Sequence, residues 1–308
     1  MLEEIEGLAD GAGISMAEAL MLQLRFELVG FDGQGGEGCS SFAIVDGGHR
    51  VSGQNVDAPS WHKELGMVLE IRTPDGPDLL MYNYYPGMIG YLGINSAGLS
   101  VFGNAVVSPG WRIGFPRYLA VRLALEQETV AEAEARATHL HRASTINLMI
   151  TDRQGNIRDL ELDVEEVGVL DPVNGRLFHT NHYLCPSLLK KERLLPLIPD
   201  TIDRLRVGTE RLEAISLSDQ DTDVVVTMGR LLSDHSIGPS SVCRHRAEIS
   251  QYEGDQWVSI GSIIAEPDYG RMNVCFGNPC ELTYQEFRFT DHVQENLQAT
   301  PARVAARG

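Results

Sequence analysis

One cysteine of the five in this chain stands where its own backbone could react. Cys39 follows Gly38 at the end of GFDGQGGEG (residues 30–38), a run with five glycines in nine residues. Glycine has no Cβ, so the peptide ahead of Cys39 can adopt dihedrals closed to other residues. A thiol that attacks its own preceding carbonyl needs that freedom. The Gly38 acyl group would pass from nitrogen to sulfur, and water would then hydrolyse the thioester and leave Cys39 as a new N-terminus. A free α-amine has an ordinary pKa of about 7.7–8.0. Near neutral pH it can accept the thiol's proton and serve as the local general base. The plainer reading of Cys39 is a small apolar residue that starts a strand.

Other residues invite chemistry less. Cys185, Cys243, Cys275 and Cys280 complete an odd, sparse set that does not form a disulfide framework. No C-x-x-C pair occurs, and Cys275 and Cys280 are five apart, so neither a zinc knuckle nor any other metal site is expected. His179 and His182, in HTNH, have a spacing that could ligate a metal from a helix, but the residues before them read as strand. Structural or orienting roles are expected for both. The glycines of GYLGINSAG (residues 90–98) have no G-K-[ST] and no helix after them, so a turn is expected instead of a phosphate loop. Tyr82, Tyr84, Tyr85, Tyr91, Phe102 and Trp111 crowd one stretch, where alternate residues share a strand face. Half should be core. Tyr82, Tyr84, Phe102 and Trp111 are the candidates for an acyl or aromatic pocket.

These residues need a scaffold. Residues 2–29 read as helix in two pieces, the second opened by Ser15 and Glu18 as a capping box, with Leu20, Leu22, Leu24 and Leu28 as its apolar face. After Gly38 the pattern turns to β: SFAIVD (41–46), MVLEIRT (67–73), LLMYNYY (79–85), LSVFGNAV (99–106), INLMITD (146–152) and DLELD (159–163). Helices are expected over residues 117–126, 130–139, 187–197, 202–216 and 223–232, followed by a last β block over 257–289. Runs of strands, then helices, then strands predict antiparallel sheets flanked by helices, not βαβ alternation.

Charge and hydropathy narrow the function. The 308 residues carry 25 Lys+Arg against 43 Asp+Glu, a net charge of −18, which argues against a nucleic-acid binder. No apolar run is long enough to span a membrane. The acidic N-terminus, MLEEIEGLADGAGIS, is not a signal peptide, so a soluble cytoplasmic protein is expected.

In order, Gly38-Cys39-Ser40-Ser41-Phe42, Gly53-Gln54-Asn55-Val56-Asp57, Gly93-Ile94-Asn95-Ser96-Ala97-Gly98 and His179-Thr180-Asn181-His182 resemble the acyl-coenzyme A:6-aminopenicillanic acid acyltransferase family. These are cysteine members of the N-terminal nucleophile (Ntn) hydrolases. The resemblance covers nearly the whole chain, from about residue 3 to about residue 289. It implies an α+β fold, a single αββα sandwich of two antiparallel sheets between helical layers. It also implies self-cleavage at Gly38–Cys39, with the fragment 1–38 retained on the catalytic fragment 39–308. Cys39 matches the nucleophile, Asp57 the acidic residue that holds its amine, and Asn181 the amide donor to the tetrahedral oxyanion. The plainer readings are an Asx-turn for Asp57 and a turn amide for Asn181. Penicillin-forming members carry an arginine late in the chain. Register through VCFGNP and WVSIGSII places that position at Gln256, and Arg244 and Arg246 fall outside it, so no arginine is assigned.

The implied activity is hydrolysis or acyl transfer at a linear small-molecule amide through an acyl-thioester, with no cofactor. Coenzyme A would be the acyl donor if the enzyme is a transferase, but the acidity offers its phosphates no evident basic patch. Bile-salt or penicillin V hydrolase-like amidases are the nearest alternative, although they lack a propeptide helix pair. A catalytically silent binding scaffold is the other. The 38 residues before Cys39 are fewer than this family suggests, which points to a start upstream. Self-association is left open.

Overall fold

The computed structural model describes residues 1–29, 38–219, 222–246 and 257–290. Three short helices come first: α1 (Leu2–Ala12), α2 (Met16–Gln23) and α3 (Arg25–Val29). The Ser15 side chain accepts from Glu18 N, and the Glu18 carboxylate accepts from Ser15 N at 2.8 Å, so the capping box forms as expected. The expected leucine face carries only part of the packing: Leu20 packs into the cluster of Ile5, Ala9 and Ala19, and Leu22 and Leu24 are half-buried. Leu28 is 49% exposed, and the buried residues of these helices are Ile5, Ala9, Ala19, Gln23 and Glu27. Polar groups do much of the anchoring. Gln23 donates to Gly87 O and accepts from Ile89 N, while Glu27 Oε1 accepts from Arg117 N and Ser144 Oγ.

Two antiparallel sheets follow. The first contains β1 (Gly38–Asp46), β2 (His49–Pro59), β10 (Arg176–His179), β11 (Trp257–Glu266), β12 (Arg271–Cys275) and β13 (Gln285–Arg288), in the order β10-β1-β2-β11-β12-β13. The second runs in sequence order through β3 (Met67–Ile71), β4 (Leu79–Asn83), β5 (Gly93–Asn95), β6 (Leu99–Asn104), β7 (Ile146–Asp152), β8 (Ile157–Leu162) and β9 (Val167–Leu170). Four more helices complete the chain: α4 (Arg117–Leu125), α5 (Val130–Thr138), α6 (Thr201–Glu213) and α7 (Val224–Leu232).

Strand alternation sorts the side chains into layers. On β1, Ala43 faces the second sheet, while Phe42 and Ile44 pack with Leu212, Val224, Met228 and Leu232 of α6 and α7. On β7, Met149 points between the sheets, while Leu148 and Ile150 meet Val121, Leu125 and Ala133 of α4 and α5. Helices therefore cover both outer faces. The αββα architecture is the one expected.

Two expectations fail. Residues 187–197 do not form a helix, and only a 3₁₀ turn occurs, at Leu189–Lys191. Pro186 and Pro196 interrupt the ladder there, and the Glu192 carboxylate takes the N–H groups of Tyr183, Leu194 and Leu195 instead. Three of the four aromatic pocket candidates are also core residues instead. Tyr82, Tyr84 and Phe102 are buried in the core between the sheets, where ring pairs and aliphatic neighbours fill the space. Trp111 alone of the four, at 42% exposed, lines a surface cleft.

Candidate active site

Gly38 begins β1 directly opposite Asp57 on β2, and Cys39 pairs with Val56. A Cβ at Gly38 would lie 2.9 Å from both Asp57 Cβ and Asp57 Oδ2, so the carboxylate abuts the residue ahead of the cysteine. Asp57 is not a turn residue. It is fully buried inside a strand and takes a hydrogen bond at Oδ1 from Ser259 Oγ (2.7 Å). Ser259 points there because β11 carries a bulge between Ser259 and Gly261. Such an inserted residue re-aims its neighbours. Gly261 lacks a side chain where Tyr82 Oη approaches: a Cβ would meet that oxygen at 2.2 Å.

The HTNH segment follows β10. Asn181 Oδ1 accepts from Cys39 N (2.8 Å) and from Arg204 Nη2 (2.9 Å), while its Nδ2 donates to Ala105 O (3.1 Å). Two donors on one oxygen and a carbonyl opposite the nitrogen fix which way the carboxamide faces. Thr201, the first residue of α6, holds the segment from below. Its Oγ1 accepts from Asn181 N at 2.7 Å and contacts His182 Nδ1 at 3.0 Å. His179 lies deeper, bonded to Glu161 and to Thr180 O, and these partners with Asp159 raise its pKa against the effect of burial. His182 shifts the other way. Burial first, then the nearby His179 and Arg204, lower it to about 4.

Two arginines complete the site, and neither is legible from the motifs. Arg204, fully buried on α6, donates to Cys39 O (2.7 Å), Ser40 Oγ (3.0 Å) and Asp200 (2.7 Å) as well as to Asn181. Arg244 faces Asp57 Oδ2 with its Nε at 3.6 Å and pairs with Asp200. Its backbone N–H also donates to Ser259 Oγ (2.9 Å). Arg244 falls outside the sequence register for a family arginine, yet it reaches the site from the segment after α7. Gln256 lies outside the described residues. Two guanidinium groups and two carboxylates therefore balance in a dry space. Burial pushes the Asp57 carboxyl up, against the pull of Arg244, Arg204 and Ser259. At Asp200 burial also pushes upward, but the two arginines outweigh it and its carboxyl stays below the usual range.

Not every motif residue joins this site. Asn55 of GQNVD spends its amide on Leu232 O and Val242 O, both at 2.8 Å, and Gln54 accepts from Gly103 N. Asn95 caps a turn by accepting from Ala97 N and Leu99 N. These residues carry the fold.

Comparison with known proteins decides the family. Residues 45–281 match the family model described as acyl-coenzyme A:6-aminopenicillanic acid acyl-transferase. The chain belongs to that family. The acyl-coenzyme A:6-aminopenicillanic-acid-acyltransferase 40 kDa form of Emericella nidulans is 32% identical over 248 residues, which make up 79% of this chain and 66% of that protein. The chain thus spans just under two thirds of that relative. Among solved structures, a variant of the conjugated bile acid hydrolase of Clostridium perfringens superimposes with a TM-score of 0.58 at 13% identity, covering 85% of this chain and 100% of that one. The Caenorhabditis elegans N-acylethanolamine-hydrolyzing acid amidase ortholog gives 0.53 at 17% identity, covering 75% and 93%. Both likenesses are of fold alone. The family match begins downstream of Cys39, so the placing of that residue rests on the geometry above.

Proposed function

We propose that this chain cuts itself at Gly38–Cys39 and then hydrolyses linear small-molecule amides with Cys39 as nucleophile. The observation that carries this reading is the placement of the Gly38–Cys39 peptide. It lies against a buried carboxylate and a fixed carboxamide, with Arg204 on the Cys39 carbonyl. In self-cleavage the Cys39 sulfur attacks the Gly38 carbonyl carbon, the peptide nitrogen leaves with a proton, and water hydrolyses the resulting thioester. The product amine keeps its acceptor at Asn181 Oδ1. Among the described residues Asp57 Oδ2 takes no hydrogen bond, so it offers the new amine a second acceptor.

In turnover the amine takes the thiol proton while sulfur attacks the substrate carbonyl. Collapse of the tetrahedral intermediate returns that proton to the departing amine and leaves an acyl-thioester. Water then releases the acid by the same route. Asn181 Nδ2 is the expected donor to the oxyanion, turning from Ala105 O once the chain is cut. The acyl group is placed in the cleft bounded by Phe26, Val107, Trp111, Leu194 and Leu197, because Val107 follows closely on Ala105, the Asn181 partner. Hydrolysis is favoured over transfer. A net charge of −18 provides no broad cationic surface for coenzyme A phosphates.

Release of primary amine from a panel of N-acyl amides, with and without coenzyme A, tests the reading. Wild-type protein should release amine without coenzyme A, and Cys39→Ala should not. Equal release by both would refute it.

A further inference from the structure

Away from the reactive cysteine, on the far side of Arg244, four side chains converge. We propose that His235, Cys243, His245 and Cys280 bind one structural zinc ion. Their candidate ligand atoms all lie within 4.8 Å of one another. His245 Nε2 is 3.1 Å from His235 Nε2, 3.7 Å from Cys243 Sγ and 3.3 Å from Cys280 Sγ, and the two sulfurs are 3.5 Å apart. A tetrahedral ion with Zn–S near 2.3 Å and Zn–N near 2.0–2.1 Å requires ligand-to-ligand edges of about 3.3–3.8 Å. Four of the six edges, those among His245, Cys243 and Cys280 and that between the two histidines, fall within about 0.3 Å of the required values. Two thiols and two imidazoles are also the donor set of closed, four-coordinate zinc sites. All four positions are filled by protein, leaving none for water, so the site is structural and not catalytic.

The surroundings suit an ion. His245 turns its Nε2 inward, and its Nδ1 lies 3.7 Å from Glu281 Oε1, the carboxylate backing that orients metal-bound histidines. Asn278 Nδ2 lies 3.6 Å from Cys243 Sγ and donates to Arg244 O (2.8 Å), while Lys63 holds its Oδ1. The loop from α7 to Cys243 is built in advance: Asp234 accepts from Ser236 N, Ser236 Oγ and Ser241 Oγ, and Cys243 N donates to Asp234 O. The ligands join three separate stretches, and two of them flank Arg244. An ion there would clip the Arg244 segment to the turn after β12, and so hold the guanidinium against Asp57. Sequence spacing hides this site, since no two of its ligands form a recognised short motif.

The test uses the full chain, freed of any tag, stripped with a chelator under reducing conditions and titrated with zinc or cobalt(II). One equivalent of zinc should bind per chain and raise the unfolding temperature. Cobalt should give thiolate charge-transfer absorption and the intense visible bands of a tetrahedral ion. His235 and Cys280 are exposed, so the double variant His235→Ala/Cys280→Ser should remain folded by circular dichroism and lose stoichiometric binding. Glu281→Gln should keep the cobalt spectrum but weaken affinity about 10–100-fold. The proposal is overturned if wild-type chain takes up no metal, or if the double variant binds as the wild type does. A Cys243–Cys280 disulfide in protein made with zinc present would overturn it equally. None of these readouts depends on amidase activity, so failure here is distinct from failure of the proposed function.

Discussion

At Gly38 the constraint is a distance. A methyl group there would meet Asp57 Cβ and Oδ2 at 2.9 Å, closer than real Cβ contacts, and Asp57 has no room to retreat in its buried strand. Gly38→Ala should therefore slow self-cleavage in a chain that still folds, followed as the loss of intact mass with time. An unchanged rate would mean the close approach has no bearing on the reaction. Asn181 is tested differently. Removing a donor that is strongest in the transition state should lower kcat about 10²–10³-fold with KM little changed, so Asn181→Ala is measured on protein already cut. Full activity there would take Asn181 out of the oxyanion role.

The elements show which parts of this arrangement are written in the sequence. The capping box at Ser15, the β7–β8 hairpin and the apolar stripes of α6 and α7 follow from local pattern. β2 does not. Val51 to Ala58 are all buried, so the alternation that marks a half-exposed strand is missing. Its polar residues are satisfied only by partners far along the chain, such as Leu232 O and Gly103 N. Cys39 was legible because glycines announce it. Arg204 had one faint signal, a charge on the stripe that also carries Val207 and Leu212. Arg244 had none, because only folding brings it to Asp57.

Anchoring of α1–α3 leads to a further expectation at this scale. After cleavage the fragment should stay bound, with both pieces in one gel-filtration peak. Glu27→Ala would leave Arg117 N and Ser144 Oγ without their acceptor, at a cost of about 1–3 kcal/mol. It should therefore loosen the fragment. Retention as tight as in wild type would assign the anchoring to Gln23 and the apolar contacts instead.

For the whole molecule, His182, only 8% exposed, is an expected source of acid sensitivity. Its pKa falls from 6.5 in the unfolded chain to about 4 in the folded one. As pH drops through that window the unfolded state takes up a proton that the folded state refuses, so stability falls, by up to about 3 kcal/mol. Urea unfolding at pH 7 and pH 4.5 should show a smaller loss for His182→Gln than for wild type. Equal losses would place the acid sensitivity elsewhere.

Whether this sandwich frees its nucleophile by its own chemistry is tested most directly by intact-mass analysis of the purified protein. The wild type should resolve, without added protease, into a short N-terminal fragment and a large one beginning at Cys39, while Cys39→Ala stays a single chain. A wild type that remains uncut while cleaving amides, or a Cys39→Ala protein that splits at the same bond, would contradict the proposal.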